Sequence, residues 1–344
     1  PPNRGIYWVL LIHLLIGNQV KHLLIILSLF LFSFTYISCS SSSDGGSSTT
    51  TDNTTTTGLF VTVGDSGTIL TSSDGTSWDN RTSGTSKFLY GVTYGNGLFV
   101  TVGQNRTILT SSDGISWDDR TTGTSNLLYG VTYGNGLFVT VGWKGTILTS
   151  PDGNSWTKRT SVTSESLYEV TYGNGTFVTV GNTGTILTSS DGSSWDNRTS
   201  GTSNQLLGVT YGNSIFVTVG QSGTILTSSD GTTWTSRTSE TTEDLCRWGG
   251  LYPPCHHGYG GVTYGNSIFV TVDSSGTILT SSDGTTWTVR ITGTWRNLKE
   301  VTYGNGLFVT VGNLGIIYTS SDGTSWTTRT TGTSNHLVGV TYSQ

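Results

Sequence analysis

The residue types best suited to chemistry lie together in one irregular stretch, residues 241–260 (TTEDLCRWGGLYPPCHHGYG). Cys246 and Cys255 are followed by His256 and His257, and thiolate and imidazole groups are the usual ligands of zinc. Eight residues separate the two cysteines, however, which does not match ordinary zinc spacing. In an exported chain, two cysteines of one loop favour a disulfide. We predict a Cys246–Cys255 disulfide, with a four-ligand metal site as the alternative.

Two charged residues recur once in every repeat of the chain, which indicates a structural role because a catalytic group is expected only once. The arginines are Arg81, Arg120, Arg159, Arg198, Arg237, Arg290 and Arg329. The aspartates are Asp74, Asp113, Asp152, Asp191, Asp230, Asp283 and Asp322. No Ser/His/Asp order, metal-spaced histidine pair or phosphate-binding loop stands out. We therefore predict no enzymatic activity, no metal and no cofactor.

The elements that carry these residues follow a fixed period of 39 residues. A tryptophan recurs at Trp78, Trp117, Trp156, Trp195, Trp234, Trp287 and Trp326. Successive differences are 39 residues except for one of 53, so the sixth repeat carries 14 extra residues, because 53 − 39 = 14. A period near 40 with several short strands in each unit is typical of a β-propeller. We predict seven blades, with an open solenoid as the minor alternative.

Each repeat contains four strand-like runs, illustrated by the second repeat at 89–94 (LYGVTY), 98–102 (LFVTV), 107–111 (TILTS) and 117–121 (WDDRT). We name them strands a to d, with a innermost. Asn96-Gly97 and Asp113-Gly114 lie in the a–b and c–d connections, and such dipeptides tolerate the positive φ of hairpin turns. No helical apolar stripe follows residue 40. The predicted fold is all-β, with four-stranded antiparallel blades.

The ends of the repeat array predict how the ring closes. The first repeat begins at strand b, near Gly58, and the chain ends with an additional strand a, residues 337–342 (LVGVTY). The last strand can therefore pair into the first blade, which removes two exposed sheet edges.

Strand a differs at one position in two repeats, where Glu169 and Glu300 replace the glycine of most repeats. Both carboxylates could face the central channel and attract a cation. The alternative is two solvated carboxylates about three blades apart.

The run Ser-Ser-Asp-Gly-Thr-Ser-Trp at 72–78 resembles the Asp-box of bacterial sialidase-type (BNR) repeats, and the whole unit is similar to photosystem II assembly-factor-like propellers. The resemblance covers residues 58–344, although Asp to Trp is one residue shorter than in the usual box. It implies that the aspartates named above tie the c–d turns and that the tryptophans of the 39-residue period pack between blades. Sialidase activity would need an arginine cluster and a Tyr/Glu pair, so a glycosidase-like enzyme ranks third among the functions considered.

The N-terminal residues predict export. The chain contains no Met, so we expect Val20 to be the start and residues 1–19 to be an upstream or non-native segment. Residues 20–38 combine Lys21-His22 with an apolar run, which is typical of a signal peptide. Residues 36–39 (YISC) resemble the bacterial lipobox, which implies lipidation of Cys39; a plain membrane anchor is the alternative. Residues 39–57 then form a flexible Ser/Thr linker. The resemblance to lipoproteins implies a location in the outer membrane.

Variation among the repeats is confined to one end of the predicted disc. In antiparallel blades the b–c and d–a loops share one end, here named the variable face, and the a–b and c–d turns share the other, the repeated face. The insertion at about 241–260 falls in a d–a loop. Propellers commonly bind ligands on one face, so we predict a binding face there. Its candidate residues are Arg106, Trp143, Lys144, Trp248, Tyr252, His256, His257, Trp295 and Arg296.

These features predict a monomeric, non-catalytic binding or scaffold propeller of the bacterial cell envelope, with a protein partner engaged through the variable face. The alternative is a lectin that binds polysaccharide. Aromatic residues at equivalent positions in most blades would favour the lectin, but Trp143 and Trp295 are not equivalent. The net charge is −5 and the basic residues are scattered, so nucleic acid is not expected as a partner.

Overall fold

The structure confirms the seven-bladed β-propeller. The computed structural model describes residues 58–120, 124–238, 260–291 and 296–343. Their strands form seven sheets, each of four antiparallel strands. These ranges contain short 3-10 turns but no α-helix, and hence no helix long and apolar enough to cross a membrane.

The strands are numbered in chain order. Those of the first four blades are β1 (Phe60–Gly64), β2 (Ile69–Ser72), β3 (Asp79–Arg81), β4 (Leu89–Gly95), β5 (Leu98–Gly103), β6 (Ile108–Ser111), β7 (Asp118–Asp119), β8 (Leu128–Gly134), β9 (Leu137–Gly142), β10 (Ile147–Ser150), β11 (Thr157–Arg159), β12 (Leu167–Gly173), β13 (Thr176–Gly181), β14 (Ile186–Ser189) and β15 (Asp196–Arg198). Those that follow are β16 (Leu206–Gly212), β17 (Ile215–Gly220), β18 (Ile225–Ser228), β19 (Thr235–Arg237), β20 (Val262–Gly265), β21 (Ile268–Val272), β22 (Thr277–Ser281), β23 (Thr288–Ile291), β24 (Leu298–Gly304), β25 (Leu307–Gly312), β26 (Ile317–Ser320), β27 (Thr327–Arg329) and β28 (Leu337–Tyr342).

The ring closes as the chain ends predicted. The first sheet has the order β28-β1-β2-β3, and β28 pairs antiparallel with β1 so that Phe60 lies opposite Tyr342. The backbone N–H of Leu59 donates to Ser343 Oγ at 2.7 Å, and the N–H of Ser343 donates to the Leu59 carbonyl at 2.9 Å. The seven innermost strands, β4, β8, β12, β16, β20, β24 and β28, contact one another in sequence around the channel.

The hydrophobic core lies between the blades. Strand b is apolar on both sides because it is covered by a blade on each face, and its side chains are almost completely buried. Val139 and Val141 of the third blade, for example, pack against Leu167, Phe177 and Trp195 of the fourth. Burial of each such side chain contributes roughly 1.5–3 kcal/mol, so every interface between adjacent blades stabilises the ring.

A β-bulge near the start of strand a explains a repeated threonine in strand b. In β4 the register with β5 shifts between Leu89 and Gly91, and Thr101 Oγ1 donates to the Gly91 carbonyl at 2.9 Å. The hydroxyl is an additional donor to this carbonyl: in the sixth blade the Gly261 carbonyl accepts from Thr271 Oγ1 at 2.9 Å and from the Val272 N–H at 3.2 Å. The same bond, at 2.8–2.9 Å, is made by Thr62, Thr101, Thr140, Thr179, Thr218, Thr271 and Thr310.

The repeated face consists of turns closed by local hydrogen bonds. Asn96 and Gly97 both have positive φ, 50° and 73°, as a type I′ hairpin requires. In the first c–d turn, Asp74 Oδ1 accepts from the N–H groups of Thr76 and Ser77 at 2.8 and 2.9 Å. These bonds stabilise the ionised form and hold the pKa of Asp74 well below its ordinary value. The repeated aspartate therefore orders the turn.

The repeated arginine and tryptophan also form structural contacts. Trp78 Nε1 donates to the Gly75 carbonyl at 3.1 Å. The Nε of the arginine in strand d donates at 2.7–3.3 Å to a threonine hydroxyl of strand c in all seven blades. Strand d is shorter than the predicted 117–121: β7 contains only Asp118–Asp119, since Trp117 belongs to the preceding turn.

Candidate functional site

On the variable face, the backbone is nearly the same from blade to blade, whereas the side chains differ. In six blades the b–c connection is a 3-10 turn that follows the glycine ending strand b, at Asp65–Gly67, Gln104–Arg106, Trp143–Gly145, Asn182–Gly184, Gln221–Gly223 and Asn313–Gly315. The N–H of the first turn residue donates to a carbonyl of the d–a loop, as Gln104 does to Phe88 at 2.8 Å and Trp143 does to Leu127 at 3.0 Å. Each b–c turn is thus anchored to its neighbouring loop.

The structure places four of the predicted binding residues on this face. Trp143 is 41% exposed, and Lys144 Nζ lies 4.2 Å from the centre of its indole ring, a cation–π contact. Arg106 and Lys144 have positive φ in their 3-10 turns, and both side chains are exposed. Arg296 is exposed as well.

The other predicted residues fall outside the described ranges. They are Trp248, Tyr252, His256, His257 and Trp295, together with Cys246, Cys255 and Cys39. Their binding, disulfide and lipidation roles therefore stay predictions. Within the ranges that are described, no three His, Cys, Asp or Glu side chains are grouped so that they could hold a metal ion.

Polar side chains connect adjacent blades on the variable face. Glu165 Oε2 accepts from Asn182 Nδ2 and from Thr183 Oγ1, both at 2.9 Å, within the fourth blade. Gln205 Nε2 of the fifth blade donates to Asn182 Oδ1 at 2.8 Å. These bonds fix side chains that differ from those at the same positions in other repeats.

A row of tyrosines, which sequence reasoning missed, extends along one side of the channel mouth. Tyr90, Tyr129 and Tyr168 occupy the second position of β4, β8 and β12. Their ring centres are 5.3 and 5.6 Å apart, and Phe88 stacks on Tyr90 at 4.7 Å. Burial raises the pKa of Tyr129 to about 12. The signal was present in the sequence, because this position is Tyr in three repeats and Leu207, Lys299 or Val338 in others.

Both strand a glutamates face the channel. A cavity of about 140 Å³ is lined by Tyr90, Glu169 and Glu300 together with glycines and valines of the innermost strands. Around the ring, two blades separate the glutamates on one side and three on the other, so they lie on nearly opposite walls. Each Oε1 accepts from the backbone N–H of the next residue, at 3.0 Å for Glu169 and 2.9 Å for Glu300.

Both glutamates are partly buried and keep some exposed surface. Burial raises the pKa of Glu169 above its ordinary value, and burial together with the charge of Glu169 raises the pKa of Glu300. Neighbouring glycines make room for them: a Cβ on Gly130 would lie 2.9 Å from Glu169 Oε1, and one on Gly261 would overlap the carboxylate of Glu300.

The fold and the site define a closed propeller with one repeated face and one individualised face. Residues 128–246 match the family model described as the DUF6242 beta propeller domain. No curated protein matches the sequence.

Among solved structures, the chain is similar to YCF48 bound to D1 peptide, with a TM-score of 0.53 and 17% identity over 71% of this chain and 81% of that one. It is similar to YCF48 from Cyanidioschyzon merolae, with a TM-score of 0.50 and 13% identity over 70% and 84%. The computationally designed Ika8 protein matches with a TM-score of 0.57 and 11% identity over 83% and 88%. At such identities the likeness establishes the propeller fold alone.

Proposed function

We propose that this protein is a non-catalytic binding or scaffold propeller of the bacterial cell envelope that engages a protein partner through its variable face. One observation carries the proposal: side chains vary from blade to blade on the b–c turns and d–a loops, whereas the backbone beneath them repeats. A rigid backbone that carries individual side chains suits recognition of one partner, because little conformational entropy is lost on binding.

The exposed Trp143 is the best candidate for an anchor residue on this face. Tryptophan is enriched among the residues that contribute most to protein–protein binding, and such residues lie near the centre of an interface. Lys144, which lies over the Trp143 ring, and Arg106 in the b–c turn of the adjacent blade supply charged groups beside it. We expect Trp143→Ala to weaken partner binding by roughly ten-fold or more.

The solved YCF48 propeller, which shares the fold, is bound to a peptide. This supports a protein or peptide ligand for the present chain, but we do not infer that the ligand is the same peptide. The residues that distinguish the blades are also mostly polar or charged rather than a repeated aromatic set. A polysaccharide lectin would be expected to repeat an aromatic platform in most blades, whereas the first b–c turn residues are Asp65, Gln104, Trp143, Asn182, Gln221, Asp273 and Asn313.

Site-specific photo-crosslinking tests the protein-binding proposal. A photoreactive phenylalanine analogue replaces Trp143 on the variable face or, as the matched control, Ile115 in a c–d turn of the repeated face, which is 51% exposed. In cells that naturally produce the chain, we expect a discrete protein adduct from position 143 and none from position 115. Equal adducts from both positions, or none from position 143, would contradict the proposal. Glycan-array binding by the same chain would favour the lectin instead.

The envelope location has a separate test. The proposal rests on the apolar run before Cys39 and the polar linker after it. Metabolic labelling with a fatty-acid analogue should label the wild-type chain and not Cys39→Ser, and the label should fractionate with the outer membrane. Equal labelling of both chains would contradict lipidation at this cysteine.

A further inference from the structure

The channel mouth combines three features that together point to one kind of ligand group. The first is the partly open cavity of about 140 Å³, several times the ~30 Å³ that one water molecule occupies in the liquid. The second is the pair of carboxylates on nearly opposite walls. The third is the tyrosine row that begins at the cavity with Tyr90 and continues through Tyr129 and Tyr168.

Neither carboxylate has a counter-charge within the described part of the chain. Glu169 and Glu300 each use Oε1 for a single backbone N–H, and neither Oε2 accepts a hydrogen bond from a described residue. No ion pair involves them, and the described residues that line the cavity include no Lys, Arg or His. Lys299 precedes Glu300 but does not line the cavity. Partly buried carboxylates without a paired positive charge favour a cationic group, so the cavity is complementary to a cation.

We propose that this cavity receives an arginine side chain of the partner protein, with the guanidinium between Glu169 and Glu300. This inference rests on the proposed function and names the chemistry that the partner presents. A guanidinium has donors on more than one edge of a plane, so it can donate to carboxylates on opposite walls. The tyrosine row supplies aromatic surface beside the entrance, against which arginine packs favourably.

A metal ion fits the same cavity less well. Calcium takes six to eight oxygen ligands, but the described walls contribute two carboxylates, a tyrosine and otherwise glycine and valine. A lysine ammonium is compact and strongly hydrated, and it lacks the planar fork that can contact two separated carboxylates. The geometry therefore favours arginine.

The probe for this site is N-acetyl-arginine-N-methylamide, titrated into the full chain and followed by ligand-observed NMR. The neutral comparison is the citrulline analogue, which has the same shape without the charge. We expect the arginine amide to bind and the citrulline amide to bind at least about ten-fold more weakly. Glu169→Gln/Glu300→Gln should weaken arginine amide binding by a similar factor.

Two further variants control for charge and for folding. Asp119→Asn removes one negative charge from the exposed outer strand β7, outside the cavity and the tyrosine row, so binding should be unchanged. Glu169→Gly/Glu300→Gly introduces the residue that the other five innermost strands carry, so it should fold and should also lose binding. Equal binding of the citrulline amide, undiminished binding by the double variants, or calcium chloride binding in place of the arginine amide would each overturn the inference.

The photo-crosslink separates this inference from the proposed function. If position 143 still captures its protein in the Glu169→Gln/Glu300→Gln background at the wild-type level, the arginine site is wrong although the variable face still binds a partner. If position 143 captures nothing in the wild-type background, the proposed function fails, whatever the arginine amide does.

Discussion

At the scale of single residues, each repeat depends on a few buried or local hydrogen bonds that its polar side chains make. Thr140 Oγ1, in a fully buried position, donates to the Gly130 carbonyl at 2.9 Å. This bond joins strand b to the bulged part of strand a inside the protein. A valine side chain has nearly the same shape as threonine but cannot donate a hydrogen bond.

We expect Thr140→Val to lower the free energy of unfolding by about 1 kcal/mol, because one fully buried hydrogen bond is lost. Urea unfolding followed by tryptophan fluorescence measures this. Thr140→Ser is the control, since it keeps the hydroxyl and should lose less. A valine variant as stable as wild type would show that the bond does not stabilise the blade.

The channel glutamates predict a pH dependence of stability. Burial raises the pKa of Glu169 from 4.5 to about 7, and the pKa of Glu300 is raised too. Between the ordinary and the raised pKa, the folded chain binds more protons than the unfolded chain, so stability falls as the pH rises through this interval. Glu169→Gln/Glu300→Gln removes the charges.

Thermal melts of this double variant at pH 4 and pH 8 test the predicted direction of the pH dependence of stability. The variant should melt at a higher temperature than wild type at pH 8, where Glu169 of the wild type is largely ionised, and the gain should be smaller at pH 4. A gain that is equal at both pH values would mean that the carboxylates are solvated as in water.

At the scale of elements, one strand c departs from the other six. The residue that follows the repeated isoleucine of this strand is leucine in six repeats and Tyr318 in β26. The Tyr318 side chain packs in the core between the sixth and seventh blades, and its hydroxyl is buried with no hydrogen-bond partner among the described residues. An unsatisfied buried hydroxyl opposes folding.

Tyr318→Phe should therefore raise the free energy of unfolding by about 1 kcal/mol, because it removes the unsatisfied group and keeps the ring. Tyr318→Leu, which restores the residue of the other repeats, serves as the comparison. It should raise the free energy of unfolding by less, because leucine would not fill the space that the tyrosine ring occupies. Urea midpoints of the three chains measure both effects. A phenylalanine variant that is less stable than wild type would indicate a hydrogen bond to that hydroxyl in solution.

The elements also show what the sequence predicts well and what it does not. The tryptophan period and the Asn-Gly and Asp-Gly dipeptides predict the blades and their turns, because these are local features. The environment of Glu169 depends on the bulge in β12 and on the space above Gly130 in the adjacent blade. It could therefore be seen only in the structure of the assembled ring. The tyrosine row was not predicted from the sequence for the same reason, since Tyr90 and Tyr129 come together only through the packing of β4 against β8.

At the scale of the whole molecule, stability depends on closing the ring. β28 supplies the innermost strand of the first blade, and Leu337 and Val340 contribute to the core between the first and seventh blades. Without β28, β1 would present an unpaired edge and this core would be exposed to water.

Truncation after His336 should lower the melting temperature by on the order of 10 °C or more and promote aggregation through the open edge. Truncation after Ser343 is the control: it keeps β28 and the hydrogen bonds between Ser343 and Leu59, so it should melt as wild type does. Differential scanning calorimetry with light scattering follows both properties. Unchanged melting of the shorter chain would contradict closure by the last strand.

Engagement of a protein partner through the variable face is tested most directly by hydrogen–deuterium exchange with the partner captured from position 143. We predict slower exchange on binding in the b–c turns, at Gln104–Arg106 and Trp143–Gly145, and in the first residues of β8 and β12. The a–b and c–d turns of the repeated face should be unaffected. Protection confined to the repeated face or to the outer strands would contradict the account.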